Sequence, residues 1–373
     1  MPTLNRENVA KLSARAAREV EEGRLPSCQL ALALDGEVVH EEVHGEASPD
    51  SRYVIFSATK PIVASTVWTL IQEGAIDPAQ RVAELFPEFG ETGKDQVTVE
   101  QVMLHTAGFP HAPMGHPDWA TREARIRRMS TWRLGWEPGT RYEYHATSAH
   151  WVLAELITRL TGLDHREAIR ARVLDPLGLD RLQVGVPEDQ QGDVLDLELR
   201  GEPVTPEEVK AVLGIDALPV TEVTDDALMG FNAPEVRAIG VPGGGGISDA
   251  RSLALFYQAL LHDPKGIWHP ALLTDVTTNV RNHLPDPLLG TPAERTLGLV
   301  TAGGDGKANL RGFGHNNSPG AFGHNGAAGQ IAWADPATGL SFVYLTNGID
   351  QHLFHQARRG VALSSLAATC ADA

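Results

Sequence analysis

The chain has 373 residues, 42% of them apolar and 21% charged, with 37 Gly and 24 Pro, which excludes a collagen, a coiled coil and a disordered tail. Its 48 acidic side chains outnumber the 31 Lys and Arg for a net charge of −17, so phosphate backbones and anionic membranes are poor partners. Two cysteines at opposite ends, Cys28 and Cys370, make neither a disulfide framework nor a zinc ribbon.

No apolar run approaches the roughly 18 residues of a membrane span. The first 26 residues read as a charged amphipathic helix without the apolar core of a secretion signal, and the expectation is a cytoplasmic protein. Two alternating runs follow, joined by Asp35-Gly36, a strong hairpin signal. Ser57 to Lys60 then opens a buried helix over Pro61–Ile71. Residues 78 to 240 are mostly short helices and Pro/Gly loops, with a clear helix from Ser148 to Leu160 stopped by Gly162. Residues 203 to 238 have no clear period and receive no assignment. Gly243 to Gly246 reads as a turn, with Ser248 or Asp249 capping a helix through Leu261. Two strands around Asp335-Pro336-Ala337-Thr338-Gly339 and a helix from about Leu353 to Ala368 complete the chain. Strands at both ends and helices between them predict an α+β fold. It is a single domain, with a sheet-containing part of about 1–56 and 241–373 and a mainly helical part of about 57–240.

Several motifs fail on context. His40-Glu41-Glu42-Val43-His44 has the letters of a zinc-protease helix, but it sits on a hairpin strand, where four residues separate the imidazoles by roughly 13 Å. No metal is expected there. The Gly243–Gly246 run lacks a following Gly-Lys-Ser/Thr, so it is no phosphate loop, and no nucleophile elbow of the Gly-x-Ser-x-Gly type occurs.

Ser57-Ala58-Thr59-Lys60 survives. With six lysines and 14 serines in the chain, about 0.2 chance matches to Ser-x-x-Lys are expected. At i and i+3 on the first turn of a helix, the hydroxyl and the amine share a face. The helix N-terminus offers free N–H groups to a developing oxyanion. A lysine flanked by apolar side chains loses its preference for the charged form and can accept the serine proton.

Downstream come Leu104-His105-Thr106-Ala107-Gly108, Pro138-Gly139-Thr140-Arg141-Tyr142-Glu143-Tyr144, Asp175-Pro176-Leu177-Gly178-Leu179, Gly244 to Arg251, and His324-Asn325-Gly326. In this order the elements resemble the serine β-lactamase and penicillin-binding-protein superfamily. The subgroup resembled holds class C enzymes, D-alanyl-D-alanine carboxypeptidases and family VIII carboxylesterases. The resemblance implies an antiparallel sheet of five to seven strands built from both termini and flanked by helices, with a helical subdomain and the site in the cleft between them. It makes Ser57 the nucleophile, Lys60 its general base and Tyr144 a proton shuttle whose pKa nearby cations would lower. Tyr142, two residues earlier, falls where the family has packing aromatics. Ser57 and Ala327 would give the two oxyanion N–H groups. His324 would hydrogen-bond across the cleft to Tyr144, Gly326 would leave room for a substrate carbonyl, and His145 would reach the substrate. His105 reads as structural.

One departure stands out: Ala146 occupies the place of the family's Tyr-x-Asn asparagine, whose amide serves peptide and β-lactam substrates. With His-x-Gly in place of Lys-Thr-Gly, this points to a serine hydrolase that cleaves small carboxylic esters through an acyl-enzyme, without a cofactor, as a monomer or homodimer. The alternatives on the same residues are an amidase, a D-amino-acid peptidase, a β-lactamase or an acyltransferase. A non-enzymatic binding protein on this fold fits the intact Ser57, Lys60 and Tyr144 less well. The loops 109–119 and 203–232 are the expected cleft walls.

Overall fold

The computed structural model describes residues 3–217 and 223–371. The N-terminal helix α1 spans Arg6–Glu21, with Asn5 accepting from the Asn8 N–H as its cap. Strands β1 (Ser27–Leu34) and β2 (Glu37–Gly45) follow. Asp35 (φ 50°) and Gly36 (φ 82°) both take positive φ between them, as a two-residue hairpin turn of the primed type requires. His40, Glu42 and His44 lie on β2, and both imidazoles contact Glu42.

The next elements are β3 (Tyr53–Phe56), helix α2 (Lys60–Gln72) and helix α3 (Val99–Met103), started by a Thr98/Gln101 capping box. Helix α4 (Ser148–Thr161) ends at Gly162, whose φ of 74° is the left-handed cap glycine favours. The two-residue strand β4 is Gln183–Val184 and β5 is Gly246–Ser248. Asp249, not Ser248, caps helix α5 (Ala250–His262) through the Ser252 N–H at 2.7 Å. The last elements are β6 (Val300–Thr301), β7 (Phe322–Gly323), β8 (Ile331–Asp335), β9 (Leu340–Thr346) and helix α6 (Leu353–Ala367). The segment 203–238 contains short helices over Pro206–Leu213, Asp225–Met229 and Pro234–Ile239, and its residues 218–222 lie outside the described ones.

The main sheet has six antiparallel strands in the order β2-β1-β9-β8-β7-β6 and is built from both ends of the chain. Strand β1 is buried along its whole length because helices cover both of its faces. Leu30, Leu32 and Leu34 pack with Leu12 and Ala16 of α1 and Leu363 and Ala367 of α6. The alternate residues Ala31 and Ala33 belong to the other core, with Leu253, Ala254 and Tyr257 of α5. Period two thus assigns large side chains to one layer and methyls to the other. Between α1 and α6, buried Arg359 sits 3.0 Å from both Glu19 and Asp350, a fully enclosed ion cluster joining the two ends of the chain. Among the described residues no helix is long and apolar enough to cross a membrane.

The expected division of the chain needs one refinement. Strand β3 does not join the main sheet; it pairs with β5, which also pairs with β4 from the middle of the chain. This small sheet carries the end of β3, and hence Ser57, against the helical part.

Candidate active site

Ser57 follows Phe56, a non-glycine residue at φ 45°, ψ −129°. Such a conformation costs about 1–3 kcal/mol and persists only where the surroundings impose it. They do so here. The Phe56 ring meets Phe231 edge-on at 5.5 Å, and Thr59 Oγ1 both donates to the Phe56 carbonyl and accepts the Gly246 N–H at 2.8 Å. The chain therefore turns sharply out of β3 into one 3-10 turn, Ser57–Thr59, that runs on into α2.

The glycine run beside it is tightly packed. A Cβ on Gly246 would fall 2.6 Å from Thr59 Oγ1, and one on Gly243 would fall 2.8 Å from the Ala146 carbonyl oxygen. The run reads as a turn in the sequence. In the fold it brings a backbone carbonyl to the lysine, an approach side chains would block.

Lys60 is buried, and its Nζ donates to the carbonyls of Ala146 at 2.7 Å and Gly243 at 2.6 Å. Its third neighbour is Ser57 Oγ at 3.1 Å. Burial first, and the Arg295 cation second, push the lysine well below its ordinary pKa. A neutral amine has two N–H groups for the two carbonyls and one lone pair left for the Ser57 hydroxyl proton. Tyr144 donates its hydroxyl to Ser57 Oγ at 2.8 Å. Burial pushes this phenol up from its ordinary pKa, against the smaller opposing effects of Arg295 and the Ser57 hydrogen bond. The sequence reading expected nearby cations to lower it; desolvation dominates instead, and Tyr144 is a proton donor at rest.

The other expected residues are placed as follows. Ser57 and Ala327 each open a 3-10 turn, where the first N–H has no partner within the turn, and both line one cavity. Three substrate-contact expectations are corrected. His145 does not reach the cavity: its Nε2 accepts the Phe109 N–H at 3.1 Å, its Nδ1 lies 2.7 Å from the Glu143 carbonyl, and burial lowers its pKa to about 3. Nε2 thus serves the backbone of the 105–109 loop, and Nδ1 the backbone two residues upstream of the ring itself. His324 does not hydrogen-bond to Tyr144: their ring centroids are 5.9 Å apart, and His324 Nε2 faces an Arg295 nitrogen at 3.4 Å. Gly326 is not part of the cavity wall. Its missing side chain admits β3, since a Cβ there would lie 2.2 Å from the Ile55 carbonyl oxygen. His105, read as structural, accepts the His145 N–H at 3.1 Å and packs its ring 4.8 Å from that of Tyr144.

The cavity at Ser57 holds about 550 Å³ and is mainly apolar, with Met114, Trp119, Leu228, Phe231, Val236 and Val241 in its walls. Met114 and Trp119 come from the first suggested loop and Leu228 and Phe231 from the second, whereas Val236 and Val241 lie beyond both. Among the described residues no group of His, Cys, Asp and Glu could hold a metal ion.

The beta-lactamase family matches residues 12–366 of the chain. The chain belongs to the beta-lactamase family. Consistent with the geometry at Ser57, it is a serine hydrolase of that family. It is 30% identical over 349 residues, 85% of this chain and 76% of the relative, to "Esterase/beta-lactamase LipL" of Mycobacterium tuberculosis. Among solved structures, a penicillin-binding protein homologue from Caulobacter crescentus superposes with a TM-score of 0.78 at 27% identity, covering 96% of both chains. A family VIII carboxylesterase superposes equally well, TM-score 0.78 at 25% identity over 97% of each.

Sequence reasoning missed Arg295 and His150. His150 is the third residue of α4 and lies buried beneath the site, its ring 6.0 Å from that of His105. Its place in a regular apolar helix resembles that of any core residue, so no local signal marked it. Arg295 lies in an irregular segment between β-bridges to Asn282 and Val300, and no spacing relates it to the serine hydrolase motifs.

Proposed function

We propose that this beta-lactamase-family serine hydrolase is a carboxylesterase that works through an acyl-enzyme at Ser57. The observation that carries the reading is Ser57 Oγ held 3.1 Å from the Lys60 amine, whose burial disfavours its charged form, and 2.8 Å from the donating Tyr144 hydroxyl. As Ser57 attacks the ester carbonyl, its proton passes to Lys60, which becomes an ammonium. The N–H groups of Ser57 and Ala327 take the oxyanion. Tyr144 gives its proton to the departing alkoxide and is reloaded from Lys60, so the alcohol leaves neutral and Lys60 returns to its resting form. Water then attacks the acyl-enzyme over the same groups, giving up a proton to Lys60 while Ser57 Oγ regains one.

Three features favour esters over amides and β-lactams. The substrate cavity is apolar, Ala146 presents a methyl where an amide donor would stand, and the similar proteins named above include an esterase and a carboxylesterase. The substrate is a small-molecule ester. The test is hydrolysis of a p-nitrophenyl ester series, a chromogenic cephalosporin and D-alanyl p-nitroanilide, with Ser57→Ala as control. Ester kcat/KM above both competitors and absent from Ser57→Ala is expected; faster cleavage of the cephalosporin or the anilide would overturn the reading.

A further inference from the structure

Arg295 is a buried arginine for which the described residues provide no carboxylate partner. Burying an unpaired charge is costly, and side chains in that position are usually neutralised or paired. Arg295 is instead held by neutral groups. Its Nε donates to the Tyr142 hydroxyl at 2.9 Å, one terminal nitrogen faces His324 Nε2 at 3.4 Å, and its guanidinium carbon lies 5.2 Å from the Tyr144 ring centroid. Lys60 Nζ lies 4.8 Å from that same centroid. The two nitrogenous groups are therefore no more than about 10 Å apart, across a single aromatic ring.

We propose that Arg295 is a positioning residue: its guanidinium fixes the Tyr142, His324 and Tyr144 side chains around Ser57, and its unpaired positive charge disfavours a second one on Lys60. The inference rests on the acyl-enzyme reading above. The groups facing Lys60 are Ser57 from the 3-10 turn, Tyr144 and His105 from their loops, His150 from α4, His324 from the β7–β8 segment, and Arg295 itself. Around Arg295 stand Tyr142, Tyr144, His324, His105 and His150, with Asp286 beyond Tyr142 and the neighbouring Glu294 turned to His283. Burial holds the three histidines well below their ordinary pKa and holds Tyr144 above its own. With the histidines and Tyr144 held in their neutral forms, Lys60 is the group near Ser57 whose charge the Arg295 cation bears on. At about 10 Å and an effective dielectric near 20, one unit charge shifts such a titration by about one pH unit.

The experiment measures the rate at which a fluorophosphonate probe labels Ser57 between pH 5 and 10, in the native protein, Arg295→Gln and Arg295→Lys, with thermal unfolding recorded for each. The native rate should rise through an acid limb well below the ordinary lysine range. In Arg295→Gln that limb should move up by about one pH unit, slowing labelling about tenfold on its acid side. Arg295→Lys keeps the charge but not the planar fork. Its limb should stay within a few tenths of a unit of the native one while the plateau rate falls. A folded Arg295→Gln with an unmoved limb overturns the proposal; if that variant does not fold, a limb displaced in Arg295→Lys overturns it equally. A native protein whose Ser57 is not labelled, or is labelled without an acid limb, overturns the acyl-enzyme reading and this inference together.

Discussion

Ala146 serves the site twice: its carbonyl oxygen accepts from Lys60 Nζ at 2.7 Å, and the residue lines the cavity at Ser57. The backbone of this position therefore orients the proposed base whatever side chain stands there. Only the side chain is free to bear on substrate choice.

Ala146→Asn should accordingly leave the base in place and change selectivity. An amide-bearing substrate that buries a polar group against a methyl loses about 1–3 kcal/mol, which an asparagine can restore. The ratio of cephalosporin to p-nitrophenyl ester kcat/KM should rise at least about tenfold in the variant. An unchanged ratio, in a variant that binds the fluorophosphonate normally, would show that Ala146 does not set the preference.

Lys60→Arg should lose ester turnover almost as completely as Ser57→Ala, because a guanidinium stays charged and cannot take the serine proton. Ser57→Ala should fold, since it removes one hydroxyl at a cavity wall, and thermal unfolding is recorded for Lys60→Arg so that a lost fold is told from a lost base. Retention of more than about a tenth of the native kcat in Lys60→Arg would reduce Lys60 to an electrostatic support.

Tyr144→Phe separates acid from base. A leaving p-nitrophenolate needs no proton, whereas an alkyl alkoxide does, so the substitution should cost an ethyl ester about 10²–10⁴ in kcat and a p-nitrophenyl ester of the same acid much less. Equal losses on the two esters would mean that Tyr144 acts before the leaving group departs.

Stability should depend on pH through the buried imidazoles. His105, His145, His150, His165 and His324 all have pKa values lowered by burial, to about 3 for His145 and about 4 for His165. Unfolding returns each to about 6.5, so below that pH the unfolded chain binds more protons than the folded one. The stability is fully present above pH 6.5 and is lost as pH falls toward the folded values, by up to about 1.4 kcal/mol per histidine per pH unit. The urea midpoint should decline from pH 6.5 to 5, with a shallower slope in His145→Gln. A midpoint constant down to pH 5 would contradict the burial of these rings.

Much of this was legible in the sequence for identifiable reasons. The hairpin at Asp35-Gly36, the Gly162 stop and the Ser57–Lys60 pair are local signals, set by φ preference and helical spacing. The antiparallel sheet built from both ends of the chain, expected at five to seven strands, and the family were also read correctly, because the ordered motifs extend along most of the chain. What was not legible is long-range. His145 sits next to Tyr144 in sequence, yet its ring points away to Phe109, a matter of backbone path. The burial that raises the Tyr144 pKa comes from segments far apart in the chain, and the glycines at 243, 246 and 326 become intelligible only once the atoms their side chains would strike are known.

The central pairing of β1 with β9 joins residues synthesised far apart: Thr346 Oγ1 donates to the carbonyl of Ser27, 319 positions earlier. At roughly 5–20 residues per second, β1 and β2 wait on the order of tens of seconds on the ribosome before that partner exists. During this interval the eight-residue strand, buried on both faces in the finished fold, offers an unpaired edge to other chains. Low temperature and slow induction cannot shorten the delay, but they lower the number of such chains present together. Recovery of soluble protein should therefore depend more on expression rate and chaperone supply than on the stability of the completed fold.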